Sequence, residues 1–166
     1  MPPSPSRLSR TLGVLTLLAS ASCGGVTGAC NYRIRSTAAL GTVQTSSGTM
    51  RAEVQFFQST AGGAPPTLRI GLGASPLSSG GVAVSLADTR RVGETLVSAS
   101  VATAELTGNR IYEHRIADGR VADAVFAAIA GGTAVLTLDG PATGGSVTRV
   151  PLATERTQDW MTPRCD

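Results

Sequence analysis

Residues 51–58 read RAEVQFFQ, and in an extended chain Ala52, Val54 and Phe56 point to one side while Arg51, Glu53 and Gln55 point to the other. Alternation with a period of two marks a strand that buries one face and leaves the other in water. The same period recurs at Leu68, Ile70 and Leu72, at Val82, Val84 and Leu86, and at Val97, Ala99, Val101 and Thr103. Turn formers bound these runs: SSGG at 78–81, Asp88, then Gly108 and Asn109. A shorter strand at 31–36 and another at 110–116 bring the number to six. A last pair, 133–138 and 146–152, is joined by the Asp139-Gly140-Pro141 turn and the flexible Gly144-Gly145. Many short strands with closely spaced turn signals predict a mainly β domain, a single antiparallel β-sandwich or small barrel.

One segment departs from this period. Val121, Val125, Ala128 and Ile129 have the spacing of one helical face, which predicts a short helix over about 120–130, packed on the sheets. Asp118 is placed to cap its start, Asp123 to sit in an early turn where the helix dipole favours negative charge, and Gly131 to adopt the left-handed conformation that ends helices. A short polar helix is expected at 154–161, where no apolar alternation is visible. From Ala122 to Thr157 the rhythm of helix, glycine, paired strands and an apolar-Pro-Leu step resembles the end of the invasion-associated locus B family of exported bacterial proteins. That family's cysteine pattern is absent here, and no activity is carried across from it.

Composition bounds the remainder. With 166 residues, 42% of them hydrophobic, the chain is long enough for one core, and its 20 Gly and 9 Pro disfavour long helices. All 14 basic side chains are Arg, and they are scattered singly except for Arg90 and Arg91. Nucleic-acid binding needs a concentrated basic surface, so nucleic acid is not an expected partner.

The first residues carry an export signature. Arg7 and Arg10 precede the apolar run LGVLTLLASA at 12–21, which ends among small residues at Cys23. Ten residues of helix reach only about 15 Å, half the hydrocarbon thickness of a bilayer, so the run reads as a secretory leader and not as a membrane span. Ala19, Ser20 and Ala21 fit an ordinary cleavage site before Ser22. Alternatively, Ser20, Ala21 and Ser22 before Cys23 resemble the lipobox of bacterial lipoproteins, with Ser20 where that pattern usually has Leu. This resemblance implies cleavage before Cys23 and acylation of its thiol and amine, which gives stable membrane anchoring. The expected organisation is therefore a signal peptide at 1–22, a flexible tether at 23–29 and one mainly β domain at 30–166.

Cysteine parity supports the second cut. The chain has three cysteines, and an exported protein seldom leaves one thiol free. With Cys23 acylated, Cys30 and Cys165 are left as a pair, expected to form a disulfide between the ends of the domain. They have no neighbouring ligands that would suggest a metal.

Candidate chemistry is sparse. The single histidine, His114, would need both a nucleophile and an orienting carboxylate, and no serine lies in a G-x-S-x-G turn. In a strand, Tyr112, His114 and Ile116 share a face, which makes His114 a half-buried sheet residue. Glu105, Glu113, Asp118 and Asp123 form no local acid pair, and the gap between the two aspartates lacks calcium-loop spacing. The glycines at 71 and 73 and at 131–132 read as turns and caps. No cofactor or metal is expected. Trp160 is expected to pack beside the disulfide, and adjacent Phe56 and Phe57 must face opposite ways, one in the core and one either under the helix or in a surface patch suited to an envelope protein partner. These readings point to an exported bacterial envelope protein, lipid-anchored at the membrane, with a binding or structural role. The alternatives are a secreted periplasmic domain without lipid and a small hydrolase using His114 and a serine.

Overall fold

The computed structural model describes residues 31–45, 48–73 and 77–163. The leader, Cys23, the tether, Cys30 and Cys165 lie outside the described residues. In chain order the elements are β1 (Asn31–Thr45), β2 (Gly48–Ser59), β3 (Thr67–Gly73), β4 (Gly81–Asp88), β5 (Thr95–Ala102), the single turn α1 (Thr103–Leu106), β6 (Tyr112–Arg115), α2 (Gly119–Ala130), β7 (Ala134–Asp139), β8 (Thr148–Pro151) and β9 (Ala153–Pro163).

They form two antiparallel sheets packed face to face, a five-stranded one in the order β6-β3-β2-β1-β9 and a four-stranded one in the order β5-β4-β7-β8. The sandwich arises directly from the alternation. Ala52, Val54 and Phe56 of β2, Leu68, Ile70 and Leu72 of β3, Val82, Val84 and Leu86 of β4 and Leu136 and Leu138 of β7 all belong to one buried cluster between the sheets. The helix contributes Ala122, Val125, Ala128 and Ile129 to that cluster and touches strands of both sheets.

Three local expectations need correction. First, the opening strand does not stop at Ser36 but runs to Thr45, pairing with β2 from Ile34 onward. Its inward residues beyond Arg35 include Thr37, Ala39 and Gly41, too small or too polar to show as a hydrophobic period, yet all buried. Second, residues 154–161 are not a helix: they lie in β9, which pairs with β1 from Asn31 opposite Pro163 to Leu40 opposite Ala153. What holds this polar strand is backbone pairing and polar cross-strand contacts. Thr37 and Thr157 hydroxyls are 3.1 Å apart, and Arg33 donates to both Asp159 carboxylate oxygens at 2.7 and 2.6 Å. Third, the left-handed residue after α2 is Gly132, at φ 65°, and not Gly131, which stays right-handed at φ −84°. Gly132 N–H bonds back to Ile129 O and Thr133 N–H to Ala128 O, the Schellman closure.

The two sheets meet at a corner. Between β8, the last strand of one sheet, and β9, the edge of the other, only Leu152 intervenes; it is buried, and its N–H donates to Ala134 O at 3.0 Å. Residues 148–163 are thus almost one extended run that changes sheets at Leu152. Across this corner β1 comes so close that a Cβ on Gly41 would lie 2.5 Å from Pro151 O.

Candidate functional site

The outer face of the five-stranded sheet has no element over it among the described residues. Register sets its rows. Arg156, Ala38, Gln55, Arg69 and Glu113 line up across β9, β1, β2, β3 and β6, and Gln158, Ser36, Phe57 and Thr67 form the next row. Between them lies an open cleft of about 480 Å³. Phe57 sits at its centre on an inner strand, 49% exposed, while its neighbour Phe56 is fully buried with its ring 5.8 Å from that of Phe126 in α2. The adjacency of two phenylalanines therefore resolves as one core residue under the helix and one surface aromatic.

The charges on this face are unequal in availability. Arg69 and Glu113 face each other across β3 and β6 at 2.7 Å, both half exposed, and largely neutralise one another. Arg156 makes no ion pair among the described residues. An exposed guanidinium and an exposed ring lining one cleft with Gln55 and Gln158 suit a partner that offers a flat apolar surface together with an acidic or carbonyl group. Trp160 lies further along the same face, opposite Ile34, and is 46% exposed; the cysteines beside which it is expected to pack lie outside the described residues. Arg156 lies in a segment whose sequence predicts a helix; as part of a strand it shares a face with Gln158 and Trp160.

The remaining candidates are held in structural roles. His114 is half-buried on β6 opposite Leu68, and its Nδ1 is 3.4 Å from Tyr112 Oη, its one side-chain hydrogen-bond contact among the described residues. Asp118 caps α2, accepting from Arg120 N–H at 2.7 Å. Asp123 does not merely sit in the helix dipole: its Oδ1 is 2.5 Å from Nη2 of Arg35, a buried arginine on β1 that also bonds Gln58. Arg33 holds the Asp159 carboxyl below its ordinary pKa by direct hydrogen bonding. Among the described residues no three His, Cys, Asp or Glu side chains converge as metal ligands would. A second cleft of about 430 Å³, bordered by Met50, Ser78, Thr143 and Arg149, has no aromatic ring.

Comparison with known proteins finds no matching family model, no matching curated protein and no matching solved structure.

Proposed function

We propose that this chain is an exported bacterial envelope domain, lipid-anchored through Cys23, that works by binding a partner on the open face of its five-stranded sheet. The observation that carries the binding role is Phe57: a large apolar ring left half exposed on a central strand, lining one cleft with Arg156, which has no ion-pair partner among the described residues. An exposed ring in the middle of a sheet costs solubility and does nothing for the core, which is the usual economy of a contact surface.

Support for export and anchoring is the leader itself, with Arg7 and Arg10 before the apolar run and small residues up to Cys23. What supports the proposed bridge is that β1 and β9 bring the two ends of the domain side by side. Asn31 pairs with Pro163, Cys30 precedes the first by one residue, and Cys165 follows the second by two. Binding is favoured over the hydrolase alternative by the surroundings of His114, whose one side-chain hydrogen-bond contact among the described residues is the Tyr112 hydroxyl at 3.4 Å.

Two measurements test the reading. Mass spectrometry of the mature N-terminus should find acyl chains on Cys23; a free Ser22 would instead establish the secreted form, and an intact Met1 would remove export altogether. A photo-crosslinker at position 57 should yield a discrete adduct in intact cells, while one at Ser98, on the outer face of the other sheet, should not. Equal adducts at both positions, or none at 57, would defeat the binding surface.

A further inference from the structure

The end of the sandwich at which β1 begins differs from its surroundings. Trp160 is 46% and Met161 67% exposed there, opposite Ile34 and Arg33. The connection between β2 and β3, TAGGAPP at 60–66, has no charged residue and lies against the same end, with Thr60 N–H donating to Arg33 O at 3.1 Å. The charge of Arg33 is cancelled by its two bonds to Asp159. Nearby Arg115, Asp118 and Arg120 sum to one positive charge. This is an apolar, weakly basic tip.

Its position relative to the anchor decides what it meets. Eight residue steps separate Cys23 from Asn31. A Gly-rich tether of that length has an end-to-end distance of about 15 Å and a limit of about 28 Å. The 15 residues of β1 extend roughly 50 Å. A domain held so briefly at the start of β1 keeps that end toward the bilayer and its other end away from it.

We propose that the Asn31 end of the sandwich rests on an anionic phospholipid surface, with Trp160 and Met161 seated at the boundary between headgroups and hydrocarbon. Tryptophan is favoured at that depth because its ring is apolar and its indole N–H can still bond to headgroups, and a single net positive charge suits anionic lipid. The inference rests on the lipid-anchor reading for its geometry, but it is tested separately.

Trp160 is the only tryptophan in the chain, so its fluorescence reports this site alone. The mature chain is tethered by an N-terminal hexahistidine to nickel-chelating lipid in phosphatidylglycerol-containing vesicles, and natively matured protein is reconstituted in the same lipid. The expected result in both is a blue shift relative to the untethered chain and quenching by lipids brominated on the acyl chains. Met161→Asp, at an exposed position and with an unchanged thermal melt, should weaken both signals. Solution-like emission without quenching would overturn the proposal. So would shielding from aqueous acrylamide without quenching by brominated lipid, which would mark a protein or second-copy contact instead. If Cys23 proves unacylated while the tethered chain is still quenched, the anchor reading fails and the docking stands; an acylated chain without quenching fails the docking alone.

Discussion

The guanidinium carbon of Arg35 lies 4.8 Å from the centroid of the Phe126 ring. This contact joins the first strand to the helix, and it is reinforced from two sides, by Gln58 of β2 and by Asp123 one helical turn before Phe126. The Arg35 side chain is only 8% exposed, whereas that of Asp123 is 68% exposed.

That asymmetry gives an unequal pair of mutants. Arg35→Ala removes a buried stem, a cation over an aromatic ring and the partner of Gln58, an expected loss of about 2–4 kcal/mol. Asp123→Ala removes one solvent-screened partner and is expected to cost about 1 kcal/mol or less. Urea denaturation of both variants decides it; equal losses would mean that the ion pair, and not the packed guanidinium, holds the helix.

Gly41 should not accept a methyl group. In Gly41→Ala the added carbon meets Pro151 O at 2.5 Å and Val150 Cγ1 at 2.6 Å, and the first of these is backbone that cannot turn aside. An expected destabilisation of about 3 kcal/mol follows from overpacking at the sheet corner. Gly73→Ala, where nothing lies within 4 Å, is the control and should leave the denaturant midpoint unchanged or slightly raised.

Acid should weaken the fold partly through Asp88. This buried carboxylate takes hydrogen bonds from Nε and Nη2 of Arg90 and from its N–H, and the Arg90 side chain is the main cause holding its pKa far below the ordinary value, against the opposing effect of burial. The folded pKa lies below the unfolded value of about 3.9, so the unfolded chain takes up the proton first. The contribution is complete at neutral pH and is lost as pH falls through about 4 and below. Asp159, lowered by Arg33, adds to the same trend. Asp88→Asn is expected to lower the melting temperature at pH 7 and to flatten, without abolishing, its fall toward pH 3.

If Cys30 and Cys165 are bridged as proposed, reduction of the folded protein should lower its melting temperature by several degrees. Closing a loop that spans nearly the whole domain is worth up to about 5 kcal/mol in the chain-entropy picture. An unchanged melt after reduction would show that the ends are not bridged.

The strands legible in the sequence were those whose inward residues are large. Val54 and Phe56, Ile70 and Leu72, and Val84 and Leu86 alternate with polar neighbours and lie buried as read. The helix was legible for the same reason at its own period, from Val125 to Ile129. The second half of β1 was hidden because its inward positions hold Thr37, Ala39 and Gly41, and β9 because residues 155–161 are exposed on both faces and so carry no apolar period. Such strands are specified by partners distant in sequence, and no local period announces them. Half of the candidate site was readable, since adjacent Phe56 and Phe57 had to face apart. The other half, Arg156 and Gln158, depended on recognising β9.

The corner at Leu152 also governs how the molecule comes apart. Because one nearly continuous run donates its first half to one sheet and its second half to the other, neither layer can fray away and leave its companion standing. Loss of β8 from β7 drags on the seam between β9 and β1. Melting is therefore expected to be a single cooperative event, and amides in the middle of β7 and of β1 should exchange with deuterium through the same global opening.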